Sequence, residues 1–200
     1  MVWILQALTA VLLFLNSIFN ISMDNYSLNT NKTILRHFRL DDAQAMFDNW
    51  ASDPEVTKYL TWATHPNVET TKAIIKQWVE EYKKPDTYRY AITLKDSGVL
   101  IGGIDVVKYT NGVPEIGYCL ARKYWNKGYM TEACKALINH LFEAGFRQIT
   151  IRAEERNIAS NRVIEKCGFK FVKKETQIIE NRSIIINCYE LNNPFIKTHL

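Results

Sequence analysis

The stretch EIGYCLARKYWNKGYMTEACKALINHLFEAGFRQITIRAE, Glu115–Glu154, decides the fold. Its first seven residues are rich in β-branched and aromatic side chains and read as a strand. Beyond the loop, Met130, Ala133, Cys134, Leu137, Ile138, Leu141 and Phe142 recur at i, i+3, i+4, i+7, i+8, i+11 and i+12, the signature of one apolar helix face. Gly145 is a helix stop, and RQITIRAE is a second strand. Between the first strand and the helix lies YWNKGYM, basic and with a single glycine. A helix N-terminus offers unpaired N–H groups and a partial positive charge, which suits a phosphate. Gly128 lets the backbone come close to a ligand, Asn126 is among the few side chains that tolerate positive φ, and Lys127 adds charge. Arg122 and Lys123 lie just upstream. On the loop alone, a phosphate nest and a plain strand-to-helix turn both remain open.

Working outward, TILRHFRL reads as an early strand. DDAQAMFDNWAS follows as a helix, with Asp41 or Asp42 as its N-cap and Ala45, Met46 and Trp50 on one side. EVTKYLTWATHP is a short helical turn and loop. VETTKAIIKQWVEEYKK is amphipathic, with Ile74, Ile75, Trp78, Val79 and Tyr82 facing inward. TYRYAITL, VLIGGIDVVKY and PEIGYCLA are separated by turn residues, including the tight-turn pair Asn111-Gly112, and form an antiparallel meander. IASNRVIEKCG is a last helix, and FKFVKKE and SIIINCYEL form a closing hairpin. The class is α+β with a largely antiparallel sheet.

The 200 residues fit one domain with a tail, and 47% hydrophobic and 23% charged content is that of a globular chain with a sizeable core. The net charge of +4 is uneven. Ala121–Lys174 carries 12 Lys/Arg against 5 Asp/Glu, and the remainder 13 against 16. Such a patch attracts an anionic ligand or is simply a solvated basic face. The four cysteines show no C-x-x-C spacing and no accompanying histidine cluster, which argues against a metal site and for reduced core thiols compatible with the cytosol. Residues 1–22 are hydrophobic, and Val2–Ile21 is uncharged and long enough to span a bilayer. A signal anchor, a cleaved signal peptide and translation from Met23 are the three readings, the last preferred because a polar lead-in, residues 23–32, follows. The domain is expected over residues 33–191 and a C-terminal tail over 192–200. A membrane is a partner only if the first segment is retained as an anchor.

The whole run from Glu115 to Val172 resembles the acyl-CoA-binding core of the GNAT superfamily of N-acetyltransferases. More narrowly it is similar to the RimJ/RimL type, which acetylates ribosomal-protein N-termini and diverse amines. WNKGYMTEA matches that group's W-G-K-G-Y-x-T-E-A run, RNIASNRVIEKCGF its N-x-x-S-x-x-V-x-E-K-x-G-F run, and SDPEVTKYLTW its N-terminal pattern. The likeness covers about Thr33 to Leu191. It implies a twisted, mostly antiparallel sheet of six or seven strands, splayed in the middle, with helices on both faces. It also implies acetyl-CoA as co-substrate, inserted between the strand ending near Leu120 and the strand around Ile151, and no metal. By position, Cys119 and Leu120 present backbone groups to the pantetheine arm and thioester. Asn126, Lys127, Gly128, Tyr129 and Met130 hold the pyrophosphate by backbone N–H, Asn157 contacts the cofactor arm, and Ser160 lies near the sulfur. Asn126 stands where the group's first loop glycine falls, and Ile164 where many members carry a tyrosine acid, so either Ser160 or water assists the departing thiolate.

The implied reaction is attack of a neutral amine on the thioester carbonyl, with a backbone N–H near Leu120 stabilising the oxyanion. Glu115 is the candidate base, working through a water. An α-amine of pKa ~8 is partly neutral at pH 7 and a lysine of ~10.4 is not, which favours α-amines for a chain without a strong base. The expected partner is an amine acceptor, either a protein N-terminus or a small amine. Trp62 and His65 are candidates to line its groove. A covalent route through Cys119 or Cys134 is disfavoured. A non-catalytic acyl-CoA-binding module is the alternative. A nucleic-acid reader is disfavoured, because the basic residues follow the cofactor motifs and no known binding motif accompanies them. The cytoplasm is the expected compartment, and the sequence leaves a homodimer open.

Overall fold

A computed structural model describes residues 27–179 and 182–194. The hydrophobic segment and the end of the tail lie outside the described residues. Eight strands form one sheet: β1 (Leu28–Asn29), β2 (Thr33–Arg36), β3 (Arg89–Leu94), β4 (Leu100–Thr110), β5 (Val113–Leu120), β6 (Gln148–Glu154), β7 (Lys170–Ile179) and β8 (Arg182–Asn192). Their spatial order is β1-β2-β3-β4-β5-β6-β8-β7. Every pairing is antiparallel except β5 with β6. The expected class is therefore the observed one. The eighth strand is β1, which the polar composition of residues 23–32 did not announce.

A helix holds residues 28–32 against the sheet. α4 (Tyr129–Glu143) carries Glu132 in its first turn. The Glu132 carboxylate accepts from the Thr30 hydroxyl and, at 2.7 Å, from the Lys32 backbone N–H. Leu28 and Asn29 then pair with Leu35 and Ile34 of β2.

The other helices start where local chemistry starts them. α1 (Asp42–Met46) continues as a wider π turn over Phe47–Ala51. Asp41 stands at its N-cap position but makes no capping bond. The neighbouring Asp42 takes Arg36 in a two-pronged pair at 2.7 Å and accepts from the Arg39 N–H at 2.8 Å. Asp53 caps α2 (Pro54–Thr57) and Asn67 caps α3 (Val68–Glu81).

Alternation along the strands separates two apolar layers. Tyr90, Ile92, Ile104, Ile116, Ile149 and Ile151 face α4 and α5 (Ile158–Lys166). Phe38, Ala91 and Leu100 face Met46 and Trp50 of the α1 segment and Ile75 of α3. The Asn-Gly turn between β4 and β5 has both residues at positive φ, 52° and 78°, as a two-residue hairpin requires. The last two strands pair along nearly their full length, as the sequence led us to expect.

Backbone packing is tightest where β4 passes β5. A Cβ on Gly102 would lie 2.4 Å from the Cys119 carbonyl oxygen and 3.1 Å from Leu120 Cα. Gly102→Ala must push these strands apart and should cost about 1–3 kcal/mol, read as a lowered urea midpoint. An unchanged midpoint would show that β5 yields without cost.

Candidate active site

β5 and β6 run parallel but pair at only two positions, Glu115 with Thr150 and Ile116 with Ile151. Beyond them each strand remains fully paired on its other edge, to β4 and to β8. Four residues of β5, Gly117–Leu120, thus border a gap with no strand across from them. The Ala121 N–H donates to the Ile101 carbonyl at 2.8 Å. Antiparallel ladders alternate, so Cys119, opposite Gly103, also turns its backbone toward β4, whereas Leu120 turns its own into the gap. Of the two positions expected to present backbone groups to a cofactor arm, Leu120 faces the gap and Cys119 faces its neighbour strand.

The Leu120 carbonyl is taken by the Trp125 indole N–H at 2.6 Å. That bond folds the following segment back over the strand end. Arg122–Tyr124 forms one tight turn, and Asn126 then adopts φ 59°. Gly128 adopts φ 83° and stands at the N-cap of α4, with no side chain capping the helix. The N–H groups of Tyr129, Met130 and Thr131 head the helix without intrahelical partners. Lys123 and Lys127 both lie 5.7 Å from the centre of the Tyr124 ring, and Lys32 lies 5.8 Å from that of Tyr129. Three lysines thus lie against the two tyrosine rings that flank the loop. An uncapped helix start, two left-handed residues and an adjoining open strand edge fit the phosphates and amide arm of an acyl-CoA.

The opposite wall is the start of α5. Asn157 caps it, its side-chain oxygen accepting from the Ser160 N–H at 3.1 Å. Asn161 anchors this turn to the sheet. Its amide nitrogen donates to the Glu154 and Asn157 carbonyls at 2.9 and 2.8 Å. Its oxygen accepts from the Tyr189 hydroxyl at 2.6 Å and the Asn187 amide at 3.0 Å. Across the gap, the Tyr118 hydroxyl lies 3.0 Å from Ser160 Oγ and 3.2 Å from the Ser160 carbonyl oxygen. Burial pushes the Tyr118 phenol well above its ordinary value. Ile164 is wholly buried.

Glu115 sits at the closed end of the gap. Its carboxylate lies 3.0 Å from Arg152 Nε and 3.2 Å from Lys108 Nζ. Arg152 in turn approaches Glu175 at 3.8 Å, and Lys173 lies 2.8 Å from the same carboxylate. The candidate base is therefore one member of a row of alternating charges across the sheet. On the helical side, the His65 ring packs 5.0 Å from that of Trp62, and His65 Nδ1 lies 2.8 Å from Thr71 Oγ1. Burial lowers the pKa of His65, and likewise that of His37, which stacks on Tyr82. Burial pushes the Cys119 thiol up to about 12. A hydrogen bond with Cys167, together with burial, holds Cys134 protonated. Neither has the depressed pKa of a nucleophilic cysteine. Among the described residues no three His, Cys, Asp or Glu side chains gather as a metal site, and no helix is long and apolar enough to cross a membrane.

Three contacts around the gap escape a reading by motif. Tyr118 and Ser160 meet across 42 residues and Glu132 reaches back about a hundred, so no local pattern connects them. Asn161 lies inside a matched run, but its role depends on Tyr189 and Asn187 of β8.

Residues 32–170 match the model of the acetyltransferase (GNAT) domain. The uncharacterized N-acetyltransferase p20 of Bacillus licheniformis is 31% identical over 147 residues, covering 72% of this chain and 82% of that protein. A solved acetyltransferase of the GNAT family from Bacillus anthracis has a TM-score of 0.74 at 25% identity, covering 84% of this chain and 98% of its own. RimL, a ribosomal L7/L12 α-N-protein acetyltransferase solved with coenzyme A, shares the fold with a TM-score of 0.73 at 18% identity, covering 83% and 97%.

The two desolvated histidines make stability depend on pH in a stated direction. Unfolded imidazoles take up a proton near pH ~6.5, whereas the folded rings resist it. Stability is therefore full above that value and lost as pH falls below it. Equilibrium urea unfolding should give a lower midpoint at pH 5 than at pH 7.5, and His65→Asn should flatten the dependence. A midpoint independent of pH would contradict the burial assigned to these rings.

Proposed function

The chain belongs to the acetyltransferase (GNAT) family, and from that premise we propose that it moves the acetyl group of acetyl-CoA directly onto an α-amine. The observation that carries the proposal is the gap itself: an open strand edge at Leu120 leading straight to an uncapped helix N-terminus. The N–H groups from Asn126 to Met130 hold the pyrophosphate, with Lys127 adding charge. The arm runs into the gap beside Leu120, and Asn157 contacts it from the other wall.

The acceptor amine attacks the thioester carbonyl carbon. The Leu120 N–H faces the gap and receives the oxyanion. The carbon–sulfur bond then breaks, and the thiolate departs with a hydrogen bond from Ser160. A thiol of pKa ~8.5 is a fair leaving group, so full proton transfer from a strong acid is not required. Proximity supplies much of the acceleration. The Glu115 carboxylate is already paired with Lys108 and Arg152, so the cationic nitrogen of the tetrahedral adduct gives its proton to water and the amide results. This again favours an α-amine, partly neutral at pH 7, over a lysine or a polyamine. The similarity of WNKGYMTEA and SDPEVTKYLTW to the RimJ/RimL pattern points the same way, toward a protein N-terminus as acceptor. We place the reaction in the cytoplasm, consistent with four free cysteines.

Thiol release from acetyl-CoA, measured with peptides bearing free N-termini, polyamines, aminoglycosides and small amino compounds, tests the reading. The peptides should be acetylated fastest. Binding of acetyl-CoA without turnover on any amine would instead indicate a non-catalytic acyl-CoA module. Gly128→Val should weaken acetyl-CoA binding at least about tenfold, because a β-branched residue is strained at φ 83°. Unchanged affinity would remove the loop from the site.

A further inference from the structure

Beyond Ile116 and Ile151 the strands β5 and β6 share no backbone pairing, yet the Tyr118 side chain reaches the helix that follows β6. It extends from the gap-lining part of β5 to the first turn of α5, where its hydroxyl meets Ser160 at Oγ and at the carbonyl oxygen. α5 carries no other hydroxyl, and one turn beyond Ser160 the helix presents the buried, apolar Ile164. The serine backbone is fixed independently, through the Asn157 cap and the Asn161 network. What remains to be set is the direction of the serine proton.

We propose that Tyr118 is the positioning residue of Ser160: its phenol O–H donates to Ser160 Oγ and turns the serine's own proton toward the departing thiolate. This rests on the acetyltransferase reading above and assigns the residue that makes Ser160 effective. The hydroxyls can exchange two arrangements. In one, the phenol donates to the Ser160 carbonyl and the serine donates to the phenol oxygen. In the other, the phenol donates to Oγ and the serine proton is free for the sulfur. Negative charge developing on the sulfur selects the second. Burial keeps the phenol protonated, so it acts as a fixed donor. No proton leaves Tyr118. The serine lends a hydrogen bond while the carbon–sulfur bond breaks, and the thiolate takes its proton from water after release.

A double-mutant cycle tests this. Tyr118→Phe and, as a second side chain without a hydroxyl, Tyr118→Met are each combined with Ser160→Ala. Thiol release is measured with the best amine of the screen above, and acetyl-CoA affinity by calorimetry. We expect the Tyr118 variants to lose about tenfold in kcat, the worth of one hydrogen bond, with acetyl-CoA affinity within about twofold. In the Ser160→Ala background the same substitutions should have no further effect on kcat. An equal loss in both backgrounds, a loss confined to acetyl-CoA affinity, or an unchanged kcat in wild-type background would overturn the proposal while leaving the acetyltransferase reading intact. Absence of turnover by the wild-type protein on every amine would overturn that reading, and this inference with it.

Discussion

The constraint on which the site depends is that β5 and β6 pair twice and then separate. Both strands are locked on their outer edges, β5 by β4 and β6 by β8, so neither can swing in to close the gap. A parallel pair cannot be joined by a tight turn, and the crossover that joins these two is α4. The helix therefore starts just past the end of β5 that borders the gap, with its first N–H groups uncapped. One topological fact thus creates both the slot and the row of uncapped helix N–H groups at its mouth.

Small contacts hold this arrangement in place. The Trp125 indole, on the Leu120 carbonyl, fixes the chain reversal into the loop. Asn126 and Gly128 supply the two left-handed residues that aim the loop at the helix start. Glu132 ties the same helix to the turn between β1 and β2, so the sheet edge helps to orient the helix start. At the closed end, Glu115 between Lys108 and Arg152 joins three strands where backbone pairing stops. Partly buried pairs of this kind contribute more to geometry than to net stability. Gly102 and Gly117 leave β4 and β5 room to lie close, since a side chain at either would collide with its neighbour.

Much of the fold was legible because its signals are local. The period of α4, the Asn-Gly turn and the strand runs of β3 to β5 between their turn residues each lie within one short segment. The loop's left-handed conformation at Asn126 and Gly128 was readable from residue type alone. The site was less legible because it depends on register. Whether Cys119 or Leu120 faces the gap is decided by which residue of β4 stands opposite, a phase no composition reveals. The Glu115 carboxylate looked like an isolated acid in sequence. Its partners arrive from neighbouring strands, Lys108 directly across and Arg152 two residues past Thr150. Tyr118 belonged to a hydrophobic strand run until α5 was folded against it.

The central claim is that the gap and the helix start receive one ligand together. Residue-resolved amide hydrogen exchange with and without acetyl-CoA tests it most directly. Protection should rise jointly at Leu120 and at Gly128–Thr131, with Cys119, already paired to β4, unchanged. Protection at the helix start without Leu120, or at neither, would contradict the account.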